Sequence, residues 1–220
     1  MSTPILTDAD QERIREAVDR AETQTAGEIV PYIVGRSGRY EIALWRGGAV
    51  GALIAGAIGL LVAWQYDGWG FGWLYSAWGL VLVMSLGGVL GGSLVGALPS
   101  LRRWTAGPGR VAQRVHRRAE AAFLEEEVFQ TRDRTGILLF VSLFEHRIEV
   151  IGDAGINKAV AQEDWENVVH HIRSGIKKGQ FADGLVDAIR MCGDLLRRSG
   201  VGIRDDDEDE LSDDVRIRTE

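Results

Sequence analysis

Two uncharged apolar runs, Gly47–Trp64 and Ala77–Leu98, constrain this chain more than any other feature of its sequence. Asp67 is the only charged residue between Gly47 and Leu98. As helices the runs would measure about 27 and 33 Å, close to the thickness of a bilayer's hydrocarbon core. The intervening Gln65–Trp73 is rich in glycine, which breaks helices, and in aromatic rings, which favour the headgroup boundary. Residues 47–98 therefore read as a two-helix transmembrane hairpin, with spans 47–64 and 77–98. A buried helical pair in a soluble core is the alternative, disfavoured because two such runs are more than a chain this short would bury.

Orientation follows from arginine placement. Arg36, Arg39 and Arg46 precede the first span, Arg102, Arg103, Arg110, Arg114, Arg117 and Arg118 follow the second, and the turn between has none. Basic residues stay on the cytoplasmic side, so the expectation is an inner-membrane protein with both termini cytoplasmic. Small residues recur four apart in Gly47/Gly51/Ala55/Gly59 and in Gly88/Gly92/Gly96, giving each helix a seam for close backbone approach, within the hairpin or between chains.

What lies outside the hairpin allows one compact domain and a tail. The net charge of −7 resides in residues 205–220, which carry nine acids against two arginines. Such a run repels itself and has little to bury, so 200–220 is expected to be an acidic disordered tail. The single cysteine, Cys192, excludes an intrachain disulfide framework. The opening residues lack the basic and apolar regions of a cleavable signal peptide, so the hairpin is expected to serve as the first insertion signal.

The soluble part reads as α-β-(membrane)-α-β-β-α-α. Thr7 and Asp10 resemble a capping box for a helix over 8–24, and Glu28–Val34 reads as a strand in which Pro31, lacking a donor, favours an edge or a bulge. Gly107-Pro108-Gly109 precedes a helix over about 110–131 carrying Val115, Ala119, Ala122 and Phe129 on one stripe. That helix has arginines at its start and Glu120, Glu125, Glu126 and Glu127 at its end, opposite to the preference of the helix dipole. Anionic lipid headgroups would reward the arrangement, with Arg102, Arg103, Arg110, Arg114, Arg117 and Arg118 as the contacts. Strands at 135–143 and 147–151 form a hairpin, and two amphipathic helices follow, marked by Trp165, Val168, Ile172 and Ile176 and by Leu185, Ala188, Ile189, Cys192 and Leu196. The fold class is α/β, a small sheet sandwiched by helices and interrupted by the membrane hairpin.

Three segments carry a resemblance: Ala21–Val30, then Thr135–Ser142 with the return strand ending in Gly152-Asp153-Ala154-Gly155-Ile156, then Gly179-Gln180-Phe181-Ala182-Asp183-Gly184-Leu185. In this order and spacing the chain resembles the TPM domain family over 1–34 and 109–199. The resemblance implies an α/β sandwich, roles in assembling, repairing or modulating membrane complexes, and, for some members, weak phosphatase activity and calcium binding. Asn157 and Lys158 depart from the family's acidic glycine-rich turn, which counts against an inherited calcium site.

The residues themselves offer little chemistry. Cys192 and Arg198 have the spacing of a cysteine phosphatase, but the residues between them are helical and apolar. Glu166 and His170 stand one helical turn apart with no further ligands in a recognisable pattern. Asp133, Glu145 and Asp153 fall at strand ends, where they could meet around a hard cation. No phosphate-binding loop, dinucleotide fingerprint, nucleophile elbow or zinc cluster is present, so nucleotide and nucleic-acid partners are not expected. The leading expectation is a membrane-anchored interaction or assembly module without catalysis, whose partners are the bilayer and other membrane proteins or itself, and which needs no cofactor. A weak metal-dependent phosphatase and a homo-oligomeric membrane scaffold are the alternatives.

Overall fold

A computed structural model describes residues 6–65, 72, 76–158, 160–202 and 210–218. The chain divides into two compact units, one formed by 1–37 and 114–220, the other by 38–113.

In the first unit, helix α1 (Asp8–Glu22) opens with both halves of the capping box: the Thr7 hydroxyl accepts from the Asp10 N–H, and the Asp10 carboxylate accepts from the Thr7 N–H. Strand β1 spans Ile29–Val34, β2 Ile137–Ser142 and β3 Arg147–Gly152. β1 and β2 are parallel, β2 and β3 antiparallel, and a short fourth strand, β4 (Arg216–Arg218), lies parallel to β1 on its other side. The order is therefore β3-β2-β1-β4.

Alternation along the strands makes two cores. Ile29, Ile33, Ile137, Leu139, Val141 and Ile148 pack with α1, α6 (Gln162–Lys177) and α7 (Phe181–Arg198). Val30, Tyr32, Val34, Leu138 and Phe140 pack on the other face against Val115, Ala119 and Ala122 of helix α5 (Pro108–Glu125). Helices cover both faces, as the sequence predicts. α6 and α7 approach closely where Gly175 meets Gly184, since a Cβ on Gly175 would stand 2.7 Å from the Gly184 Cα.

Three expectations need correction. β1 is an interior strand, not an edge. Its residues of the same parity as Gly35 face β4, because the Gly35 N–H donates to the Arg218 carbonyl, so the donor that Pro31 lacks points to the side where pairing begins only at Tyr32. The helix expected over 110–131 stops at Glu125: Glu127 turns left-handed (φ 53°), and Phe129 falls in a 3-10 turn, Val128–Gln130, whose buried residue is Val128.

The third correction concerns the tail. Residues 210–218 are ordered and complete the sheet, while 203–209, most of the acidic run, lie outside the described residues. Ile217 packs against the larger core, and Arg216 and Arg218 reach the Glu126 carboxylate at 3.2 and 3.3 Å. The arginines of the tail thus meet the acidic end of α5.

In the second unit, α2 (Glu41–Gln65) and α3 (Ala77–Ala97) form an antiparallel pair, followed by a short helix, α4 (Pro99–Ala106). Arg46 of α2 donates to the Thr105 carbonyl at the end of α4, 2.9 Å away, where helix carbonyls lack intrahelical partners. Both α2 and α3 are long and apolar enough to cross a membrane, and their most apolar windows are only 11% and 6% buried. Apart from Gln65 and Gly72, the turn read at 65–73 lies outside the described residues.

Candidate functional site

The glycine seam brings the backbones of α2 and α3 into close approach. A Cβ on Gly47 would lie 2.5 Å from Val95 Cγ2 and 3.0 Å from the Gly91 carbonyl, and one on Gly51 would lie 2.9 Å from the Gly91 Cα and closer still to the Gly87 carbonyl. Gly87 in turn faces Ala55 and the Gly51 carbonyl. On α2 the close approach runs through Gly47, Gly51 and Ala55. Gly59 sits at ordinary contact distance from Val83. On α3 the seam is Gly87/Gly91/Val95, one residue before the expected Gly88/Gly92/Gly96, which line an open groove beside it with Leu44, Trp45 and Ala52. Adjacent glycines at 87–88 and 91–92 offer two phases with the same spacing, and the sequence does not choose between them.

The three strand-end carboxylates do not converge. Asp133 precedes β2 and Asp153 follows β3, so both stand at one end of the β2–β3 pair, whereas Glu145 lies in the turn at the other, six residues or about 20 Å away. Asp153, buried, accepts from the Ala154 N–H at 2.6 Å and pairs with the Arg134 Nε at 2.7 Å. Glu145, also buried, accepts from the Ser37 N–H at 3.1 and 3.2 Å and from the Ser142 hydroxyl, and the Ser37 and Ser142 hydroxyls are 2.6 Å apart. These contacts tie the segment after β1 to the β2–β3 turn. Among the described residues, no group of three or more His, Cys, Asp or Glu side chains is placed to hold a metal ion. Asn157, which departs from the resembled pattern, donates through Nδ2 to the Gly152 carbonyl at 2.5 Å and so shapes the turn itself.

The expected headgroup arginines divide. Arg110, Arg114 and Arg117 are exposed, Arg102 and Arg103 partly so. Arg118 is committed within the fold: its Nη2 donates to the Tyr32 hydroxyl at 2.7 Å, its Nη1 pairs with Glu125 at 3.0 Å, and its guanidinium lies 5.3 Å from the Tyr32 ring centre. Together with the Glu126 pairs to the tail, these contacts supply a reward inside the domain for part of the inverted charge pattern of α5.

Cys192 is fully buried in the main core, and burial pushes its thiol up to about 12, so it is neither thiolate nor accessible at neutral pH. Glu166 and His170 are exposed and, with Trp165, Val169, Arg173, Ile148 and Val150, line an open groove of about 420 Å³ between β3 and α6. No local signal in the sequence marks that groove, which forms where β3 ends the sheet beside α6.

The model of the TPM domain family matches residues 109–195, the span from α5 to the last turns of α7. Over that span the chain is similar to a TPM domain. The NMR structure of BA42 protein from the psychrophilic bacterium Bizionia argentinensis superposes with a TM-score of 0.59 at 20% identity, covering 99% of this chain and 99% of that one, which is a likeness of fold. No curated protein matches. The matched part of the TPM domain begins after the hairpin, so α1 and β1, which complete the sandwich, lie outside it.

Proposed function

We propose that this is a membrane-anchored TPM-domain protein: α2 and α3 cross the inner membrane as a hairpin, both termini lie in the cytoplasm, and the domain serves as an interaction or assembly module for other membrane proteins. One observation carries the reading. The apolar side chains of α2 and α3 point outward rather than into a core, with Leu53 66%, Leu61 60%, Val89 67% and Leu90 63% exposed. Soluble proteins rarely leave continuous apolar surface on this scale in water, whereas a bilayer solvates it without cost. The close glycine approach supports the same reading, since helices in lipid associate through small-residue packing rather than hydrophobic burial. The arginines flanking both ends favour the cytoplasmic orientation.

Reporter fusions at residue 1, at Asp67 and at residue 220 test the topology: cytoplasmic signals from both ends and an external signal from Asp67 are expected. Recovery of the chain in the soluble fraction after gentle lysis, or an external terminus, would sink the reading. For the interaction role, crosslinking in native membranes should capture membrane proteins on the domain surface, and their absence at saturating crosslinker would count against it.

A further inference from the structure

The sheet has two ends of different character. β4 covers only three residues of β1, but β3 is a six-residue strand with no strand beyond it among the described residues. Its outward backbone groups follow from the ladder. The Asp153 N–H donates to the Gly136 carbonyl, so odd-numbered residues of β3 bond inward to β2, and Ile148, Val150 and Gly152 present their N–H and C=O groups outward. A strand edge without proline or bulge is a ready template for another strand.

We propose that β3 is a self-association edge, on which a second copy of this chain adds its own β3 antiparallel about a two-fold axis centred on Ile148. The occupant follows from the charge pattern of the strand. Centring on Ile148 sets Arg147 opposite Glu149 of the other copy, twice by symmetry, at the closely spaced non-hydrogen-bonded positions where cross-strand side chains meet. Centring on Glu149 would oppose two carboxylates. Centring on Val150 would need the Gly152 carbonyl, which already accepts from Asn157 Nδ2 at 2.5 Å. The Ile148 register is the one that opposes Arg147 and Glu149, it is self-complementary, as a two-fold interface requires, and its backbone bonds centre on the Ile148 pair, because the His146 N–H opposite Val150 already donates to the Leu143 carbonyl at 3.2 Å. The open groove between β3 and α6 leaves room beside the strand for the incoming chain. Arg147 and Glu149 share the sheet face of α5, where Glu149 also stands 3.7 Å from His116.

The test uses the full chain in dodecyl maltoside micelles, with its self-association constant measured by sedimentation and its fold checked by far-ultraviolet circular dichroism. Glu149→Arg and Arg147→Glu should each weaken self-association by at least about tenfold, because two attractions become two repulsions, and the double variant should restore it. Register is read separately by disulfide formation. A mixture of Arg147→Cys and Glu149→Cys chains should crosslink while neither does alone, the buried Cys192 staying silent. A monomeric chain, self-association indifferent to charge reversal, or crosslinking of Glu149→Cys by itself would overturn the proposal. An unrelated extended peptide competing equally well for the edge would also defeat it, by showing that a second copy is not the preferred occupant. None of these outcomes bears on whether α2 and α3 lie in a membrane.

Discussion

Replacing Gly51 by alanine is the sharpest perturbation of the helical pair. Its new Cβ would stand 2.9 Å from the Gly91 Cα, and the reciprocal change at Gly87 would stand 2.7 Å from the Gly51 carbonyl, where ordinary contact begins at 3.4 Å. Neither obstacle is a flexible side chain, so α2 and α3 must separate by at least about 0.5–0.7 Å at that point, and by more where the Gly51 Cβ meets the Gly87 carbonyl. A gap of this size forfeits about a quarter to a half of the dispersion attraction at each contact it opens, and overpacking of this kind costs about 1–3 kcal/mol. Gly92→Ala is the control. Its Cβ would meet the Leu44 carbonyl at 3.6 Å and the Gly48 Cα at 4.0 Å, and it gains the same helix propensity over glycine, so that term cancels in the comparison. In SDS titrations from dodecyl maltoside micelles, with unfolding followed by resonance energy transfer between the two helices, Gly51→Ala and Gly87→Ala should each be less stable than Gly92→Ala by about 1–3 kcal/mol. Equal effects at all three positions, or greater damage at Gly92, would refute the seam and favour the phase carried by Gly88/Gly92/Gly96.

Three further outcomes follow from the first unit. Glu126→Gln removes two ion pairs to β4 at about 1–2 kcal/mol, so hydrogen exchange at the Gly35 amide should quicken by about 5- to 30-fold while the Leu143 amide, bonded to Val34, is unchanged; equal acceleration at both would show global loosening instead. The Cys192 thiol, pushed up to about 12, should resist alkylation at neutral pH until the chain unfolds, and since its folded pKa exceeds the unfolded one, the stability it contributes is complete below the ordinary thiol pKa and declines as pH rises from there toward 12. Hydrogen bonds from the Thr7 hydroxyl and backbone hold the Asp10 carboxyl below its ordinary value, so the capping box stabilises above the usual carboxylate range and is lost as pH falls through it; Thr7→Ala should cost about 0.5–2 kcal/mol near neutrality and flatten that acid slope in urea titrations.

Much of the architecture was legible in the sequence because the signals were local. Hydropathy alone marks α2 and α3, alternation marks β2 and β3, and Leu185, Ala188, Ile189, Cys192 and Leu196 are all buried on the stripe their spacing implies. The failures were failures of pairing. Whether Pro31 sits at an edge depends on what β4 does beyond it, and β4 was hidden by composition: acids from 205 to 214 masked the alternation of Val215, Arg216, Ile217 and Arg218. The carboxylates at 133, 145 and 153 were rightly placed at strand ends, but a tight hairpin between two of them already separates Glu145 from the others by the length of a strand. The glycine phase was undetermined because two neighbouring residues satisfied the same period.

The place of the hairpin in the chain follows from the parallel pairing of β1 and β2. Parallel neighbours require the chain to return from the end of β1 to the start of β2, and the part of α5 in the first unit makes that return, packing Val115, Ala119 and Ala122 on the face shared by Val30, Tyr32 and Phe140. Residues 38–113 are inserted where this crossover begins, between the last residues after β1 and the first turns of α5. A segment inserted there must bring the chain back to where it left, which an antiparallel helical pair does. Lengthening a connection costs closure entropy only logarithmically, so the sandwich can carry the insertion without redesign of its core.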